Sequence, residues 1–234
     1  MRINKIFSWP PNERGRTIYH DVDANMELIL RYFAALDQKR VCLYFSLKKL
    51  APRGKDAEFW PLDYHPFSLF NKCSKHPADF LIIFSMALAD RNRIEQLLII
   101  CHEFQHAVQY TRDKKSYLYS CILRDYGTDG NGILVHRIPA EIDADITAKA
   151  VLENELGKKE VQLFIDELYS NKDSRFQVFG SYFANLNSGV NYDFKKETAK
   201  LWEEISMDKV LFKLKDSRTK RHRDIYKMYE FAVR

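Results

Sequence analysis

Three residues within a single helical turn have the types and spacing to do chemistry. The stretch 97–111 reads LLIICHEFQHAVQYT and carries His102, Glu103 and His106 as His-Glu-x-x-His. On a helix, residues four apart lie one turn apart on one face, so the two imidazoles converge on a point. Two neutral imidazoles from one rigid turn suit Zn²⁺, with Zn–N of about 2.0–2.1 Å. Glu103 falls one residue further round, beside that point, where a carboxylate can take a proton from a metal-activated water. The flanks Ile99, Ile100, Phe104, Gln105, Ala107 and Val108 are uncharged, as a buried helix requires. The competing reading is a buried helix with two satisfied histidines and a paired glutamate. Three costly polar groups inside an apolar helix need a reason, and a metal supplies one.

Zinc in a catalytic site takes a third protein ligand and leaves its fourth position to water. The best candidate is Glu141, in Ile138-Pro-Ala-Glu-Ile-Asp-Ala-Asp-Ile-Thr-Ala148. Pro139 fits the first turn of a helix, and Ile142, Ile146 and Val151 give that helix an apolar stripe. Asp145 shares a face with Glu141 and can accept the free N–H of a liganding imidazole. An acidic first turn favoured by the helix dipole is the bland alternative.

At these residues the chain resembles a known class. HEFQH followed by an E-x-x-x-D helix is similar to the gluzincin zinc metallopeptidases. That resemblance implies His102, His106 and Glu141 as ligands, Glu103 as general base, and Asp145 supporting His102. It also implies a zincin-like core, a small sheet with an HExxH helix, within an α+β fold, to which the patterning beyond residue 157 adds additional C-terminal helices. The wording E-x-D-A-D-x-x-A over 141–148 resembles the ImmA/IrrE-type peptidases, compact intracellular enzymes several of which inactivate DNA-binding regulators. The likeness spans 79 to about 157. The chain departs from it by Gln105, where many members have Gly, and by a long insert between the two motif helices.

The elements that must position these residues are legible in part. The run 79–85, DFLIIFS, is a strand leading into a motif helix from Asn92 to about Tyr110, and 41–47 is a second strand. The stretch 82–86 either borders the cleft as an edge that accepts an extended peptide or is an interior strand. Met26, Ile29, Leu30, Phe33 and Leu36 recur at helical spacing over 21–38. The following residues, rich in Pro, His and aromatics (Pro52, Trp60, Pro61, His65, His76), read as irregular: a long loop packed by its own aromatics or, less favoured, a substrate-side flap. The stretch 116–125 is helix or extended apolar chain, and 126–132 is a glycine-rich turn without a phosphate-loop lysine. His136, just ahead of the Glu141 helix, either lines the cleft or is structural. Gly157 closes that helix, 158–169 is amphipathic helix, 175–192 is ambiguous, and 194–234 is helical again.

At 234 residues with 46% hydrophobic and 14% aromatic side chains, the chain is a folded globular protein, not a disordered one. We expect residues 1–157 to form the catalytic core and 158–234 a helical region packed on it. The first ten residues are too short and interrupted for a secretion signal, and no apolar run approaches the roughly 20 residues that cross a bilayer. Cys42, Cys73, Cys101 and Cys121 show no paired spacing and read as reduced thiols; a cytoplasmic protein without membrane association is expected. The net charge of +5 is carried by residues from Lys195 onward, densest at Arg218, Lys220, Arg221 and Arg223. Such a cluster is more often a solvated helix start than a nucleic-acid contact. The expectation is a zinc-dependent metallopeptidase acting on a protein or peptide, its alternative a catalytically silent, zinc-stabilised regulatory or binding module.

Overall fold

A computed structural model describes residues 1–7, 20, 24–25, 30–46, 56–63, 78–127, 135–215 and 219–234. It is an α+β fold, mostly helical, with one four-stranded mixed sheet. The strands are β1 (Arg2–Phe7), β2 (Arg40–Ser46), β3 (Ala57–Pro61) and β4 (Phe80–Ser85), in the spatial order β1-β2-β4-β3. β1 runs parallel to β2 and β2 parallel to β4, while β3 is antiparallel to β4. All six residues of β4 are buried, as a continuous apolar run paired on both sides must be. β4 is therefore interior: its backbone groups are spent on β2 and β3, and 82–86 offers no edge to a peptide. Among the described residues the edges are β1 and β3, and β3 lies within a stretch whose sequence reads as irregular. Its residues alternate, with Ala57, Phe59 and Pro61 buried and Glu58 and Trp60 half-buried, the period-2 pattern of a strand with one face inward.

α1 (Arg93–Arg112) opens on a capping box. The Asn92 side chain accepts from the Glu95 amide at 2.9 Å, and the Glu95 carboxylate accepts from the Asn92 amide at 3.1 Å, which satisfies two otherwise orphaned donors. The helix lies on one face of the sheet. There Leu97, Ile100, Phe104 and Ala107 join Val41, Leu43, Ile82 and Phe84 in the main core. Cys42, Tyr44, Leu81 and Ile83 point to the opposite face and pack with Leu62. α2 (Lys114–Gly127) turns back along α1, its first turn held by Asp113, which accepts from the Ser116 amide at 2.9 Å.

α3 (Pro139–Leu156) starts with proline in its first turn, packs along α1, and ends at Gly157 with φ 89°, a left-handed backbone that glycine adopts without strain. α4 (Lys158–Ser170) and α5 (Ser174–Asn185) form an antiparallel pair against α3. Gly180 permits their close approach, since a Cβ there would sit 2.9 Å from that of Leu168. The end of α5 is tied down by buried Lys149, whose ammonium donates to the carbonyls of Phe183, Ala184 and Leu186. A cation serving the orphan carbonyls of a helix C-terminus is favourable. α6 (Phe194–Glu204), α7 (Met207–Lys215) and α8 (Lys220–Val233) complete the chain and pack on α2 through Leu201, Trp202, Leu211 and Ile225. The main core itself crosses residue 157, with Phe164, Ile165 and Phe183 packed among residues of the sheet and α1.

Residues 21–23 and 26–29 of the helix expected over 21–38, together with His65, His76, Cys73, Arg218 and the glycine turn after Gly127, lie outside the described residues. Within 30–36 there is one helical turn followed by a short 3-10 helix, Ala34–Leu36. Cys42, Cys101 and Cys121 are buried and in no disulfide. Lys220 and Arg223 are exposed in the first turn of α8. No helix among the described residues is long and apolar enough to cross a membrane.

Candidate metal centre

The packing of α1 against α3 brings His102, His106 and Glu141 together. One ligand atom from each lies within 4.8 Å of the others, a group that could hold a metal ion. His102 Nε2 stands 3.2 Å and His106 Nε2 3.8 Å from the same oxygen, Glu141 Oε2. The imidazoles meet edge to face, ring centres 4.6 Å apart at 86°, so their nitrogens converge without the rings clashing.

Both rings are fixed from behind. His102 Nδ1 donates to Asp145 Oδ1 at 2.7 Å, while Tyr182 donates to the other oxygen of Asp145 at 2.9 Å. His106 Nδ1 donates to Gln109 Oε1 at 2.8 Å. The orientation of that amide follows from its other contacts. Its nitrogen donates to Ala140 O at 2.8 Å and Asp143 Oδ2 at 2.7 Å, both acceptors, so the oxygen must face the histidine. Gln105 reaches the same Asp143 oxygen at 2.7 Å. With both Nδ1 atoms engaged as donors, each neutral ring presents its Nε2 lone pair to the shared point, the tautomer a metal requires.

The charges around these atoms favour a cation at the shared point. Burial pulls the His102 pKa down, but the Asp145 carboxylate and then Glu141 outweigh it and hold the imidazole well above its ordinary value. Burial pushes Glu141 up, but contacts with His102 and His106 and the charge of Arg124 overcome this and hold its carboxyl well below the ordinary range. Both shifts have one cause: a positive charge is favoured between these carboxylates. Asp143 differs: burial raises its pKa despite the amide donors of Gln105 and Gln109.

A cavity of about 780 Å³ opens over these atoms. Glu103 lines it, is 9% exposed, and makes no hydrogen bond or ion pair with any described residue. Leu98, Phe164, Leu168, Phe176 and Phe179 form an apolar wall, and Ala57, Glu58 and Phe59 of the β3 edge close one side. Phe59 and Tyr117 pack against the His106 ring, with centroids 6.5 and 5.6 Å away. His136 lines the cavity too, its ring 5.8 Å from that of Tyr182.

The structure therefore assembles His102, His106, Glu141 and Asp145 and leaves Glu103 beside them. Sequence reasoning missed Gln109, Tyr182 and Arg124. Gln109 had a signal, since it lies one turn beyond His106. Arg124 had a weaker one, as the first charge after the run 116–123. Tyr182 had none, because its link to Asp145 exists only through the docking of α5. Comparison with models of protein families, with curated proteins and with solved structures finds no match.

Proposed function

We propose that this protein is a zinc-dependent metallopeptidase with a zincin-like core, similar to the gluzincin class. The observation that carries the reading is the joint presence of a two-imidazole, one-carboxylate donor set and an unpartnered carboxylate, Glu103, in the same cavity. Two nitrogens and one oxygen suit zinc, and three protein donors leave a position for water. Zinc bound there supplies a Lewis acid that polarises the scissile carbonyl and brings water to a reactive pKa near neutrality. Glu103 takes the proton of the attacking water and returns it to the leaving amine. Asp145 and Gln109 hold the imidazoles in the right tautomer throughout. The β3 edge beside the cavity supports a peptide substrate, which could add to it through main-chain hydrogen bonds.

The deciding experiment pairs metal analysis with turnover. Glu103→Gln is expected to keep zinc at one per chain and lose activity by at least a hundredfold, since general acid–base groups contribute about 10²–10⁴ in rate. Wild-type protein that takes up no stoichiometric zinc, or full peptidase activity in Glu103→Gln, refutes the proposal.

A further inference from the structure

Among the described residues three arginines line the cavity, and two of them are occupied. Arg91 is paired with Asp56 at 2.8 Å and Glu95 at 3.5 Å. Exposed Arg175 is paired with Asp173 through several bonds. Arg124 is different. Its side chain is 22% exposed, and among the described residues its guanidinium makes one hydrogen bond, from Nη1 to Glu141 Oε1 at 3.1 Å. Asp125 lies at ion-pair distance, 3.5 Å, yet Nε is buried without a hydrogen bond. A guanidinium offers five N–H donors in a rigid fork, and a largely buried one that uses so few calls for an explanation. The oxygen it binds is the one facing away from the histidines, so Glu141 Oε2 stays free for the metal while the cation remains at the cavity wall.

We propose that Arg124 is the anion-holding residue of this cavity: one N–H fixes Glu141 as a single-oxygen ligand, and the remaining Nη N–H groups receive an anionic oxygen of the substrate. This rests on the metallopeptidase reading above. Such an oxygen has two sources in peptide hydrolysis, the oxyanion developing at the scissile carbonyl or a carboxylate already present on the peptide. Arginine suits either, because its fork matches paired or single anionic oxygens in a way that a lysine ammonium does not.

The test uses full-length, zinc-saturated wild type, Arg124→Gln and Arg124→Lys, with zinc content measured on each. A peptide that the wild type cleaves is made in three forms: free C-terminal acid, C-terminal amide, and the amide bearing one glutamate. A kcat lowered about 10- to 100-fold on all three, with KM little changed, supports the proposal and assigns the oxyanion; that range is the usual cost of a lost charge-assisted hydrogen bond. A loss of the same size confined to KM of the acid or the glutamate peptide supports it and assigns the carboxylate, C-terminal or side-chain respectively. Zinc-loaded variants that match wild type within threefold on all three peptides overturn it. Arg124→Lys carries the same outcomes if Arg124→Gln does not fold. If wild type cleaves nothing, the peptidase reading fails, and calorimetry with N-acetylphenylalanine and its amide decides the role of Arg124 separately. A tenfold weaker acid with an unchanged amide in Arg124→Gln keeps it; equal binding of both by wild type and variant removes it.

Discussion

Asp145 is the residue whose replacement speaks most directly to how the site is held. In Asp145→Asn the carboxamide is nearly the same size and its oxygen can still accept from His102 Nδ1. Its NH₂ then faces the Tyr182 hydroxyl, which now donates to Asp145 at 2.9 Å and would have to turn and accept instead. Geometry survives; charge does not. Hydrogen bonds to an ionised acceptor are roughly twice as strong as neutral ones, about 1.5–3 against about 1 kcal/mol. The substitution should therefore weaken zinc binding by about 1–1.5 kcal/mol, close to tenfold. Asp145→Ala goes further, stranding both the 2.7 Å bond of His102 and the Tyr182 hydroxyl. Its cost should approach the upper end of the 10- to 100-fold range seen when partners of metal-bound histidines are removed. Competition against a chromophoric chelator measures both, with circular dichroism confirming the fold. If both variants bind zinc within twofold of wild type, or Asn is the worse of the pair, Asp145 does not orient His102 in the way argued.

Two further outcomes follow from packing and charge. The raised His102 pKa stabilises the metal-free chain fully below the ordinary value of 6.5 and is lost as pH rises through the folded value; the depressed Glu141 pKa stabilises it above 4.5 and is lost as pH falls through its own folded value. Zinc must displace the His102 proton, so its affinity climbs with pH. Urea midpoints should consequently fall with rising alkalinity for metal-free protein and rise from acid toward neutrality for zinc-loaded protein, and parallel trends would contradict the proton-for-metal exchange. Gly180→Ala should destabilise the fold by about 1–2 kcal/mol in denaturant titration, because overpacking costs about 1–3 kcal/mol while the helix regains roughly 0.5–1 kcal/mol over glycine. An unchanged or higher midpoint would mean that α4 and α5 can part without loss.

How much of this was written in the local sequence depends on the range of the interaction. α1 was legible because its cap, its apolar faces and its paired imidazoles all lie within one helix, and α3 because Pro139 and Gly157 punctuate it. β4 read as a strand, but whether it was edge or interior depends on β3, a five-residue element ending in proline within a stretch of Pro, His and aromatic residues. β1 escaped for a related reason: six residues broken by Asn4 and Lys5 carry little apolar signal until they pair with β2. α5 remained ambiguous because its aromatic residues suit helix and strand alike, and its contacts with α4 at Gly180 and with Lys149 decide the matter. Within the site, same-turn spacings were readable, whereas Tyr182 and Arg124 reach it only once helices far apart in sequence have docked.

Gln109 gives the arrangement a property beyond holding one ring. Its single carboxamide bridges His106 on one helix to the opening turn of the helix that carries Glu141, through the Ala140 carbonyl. His106 and Glu141 therefore cannot drift independently: sliding either helix breaks a bond belonging to both. The spacing of the donors is built into the joint between α1 and α3, as jaws are set by the pivot of a clamp, and a cation of the wrong radius must strain that joint to bind.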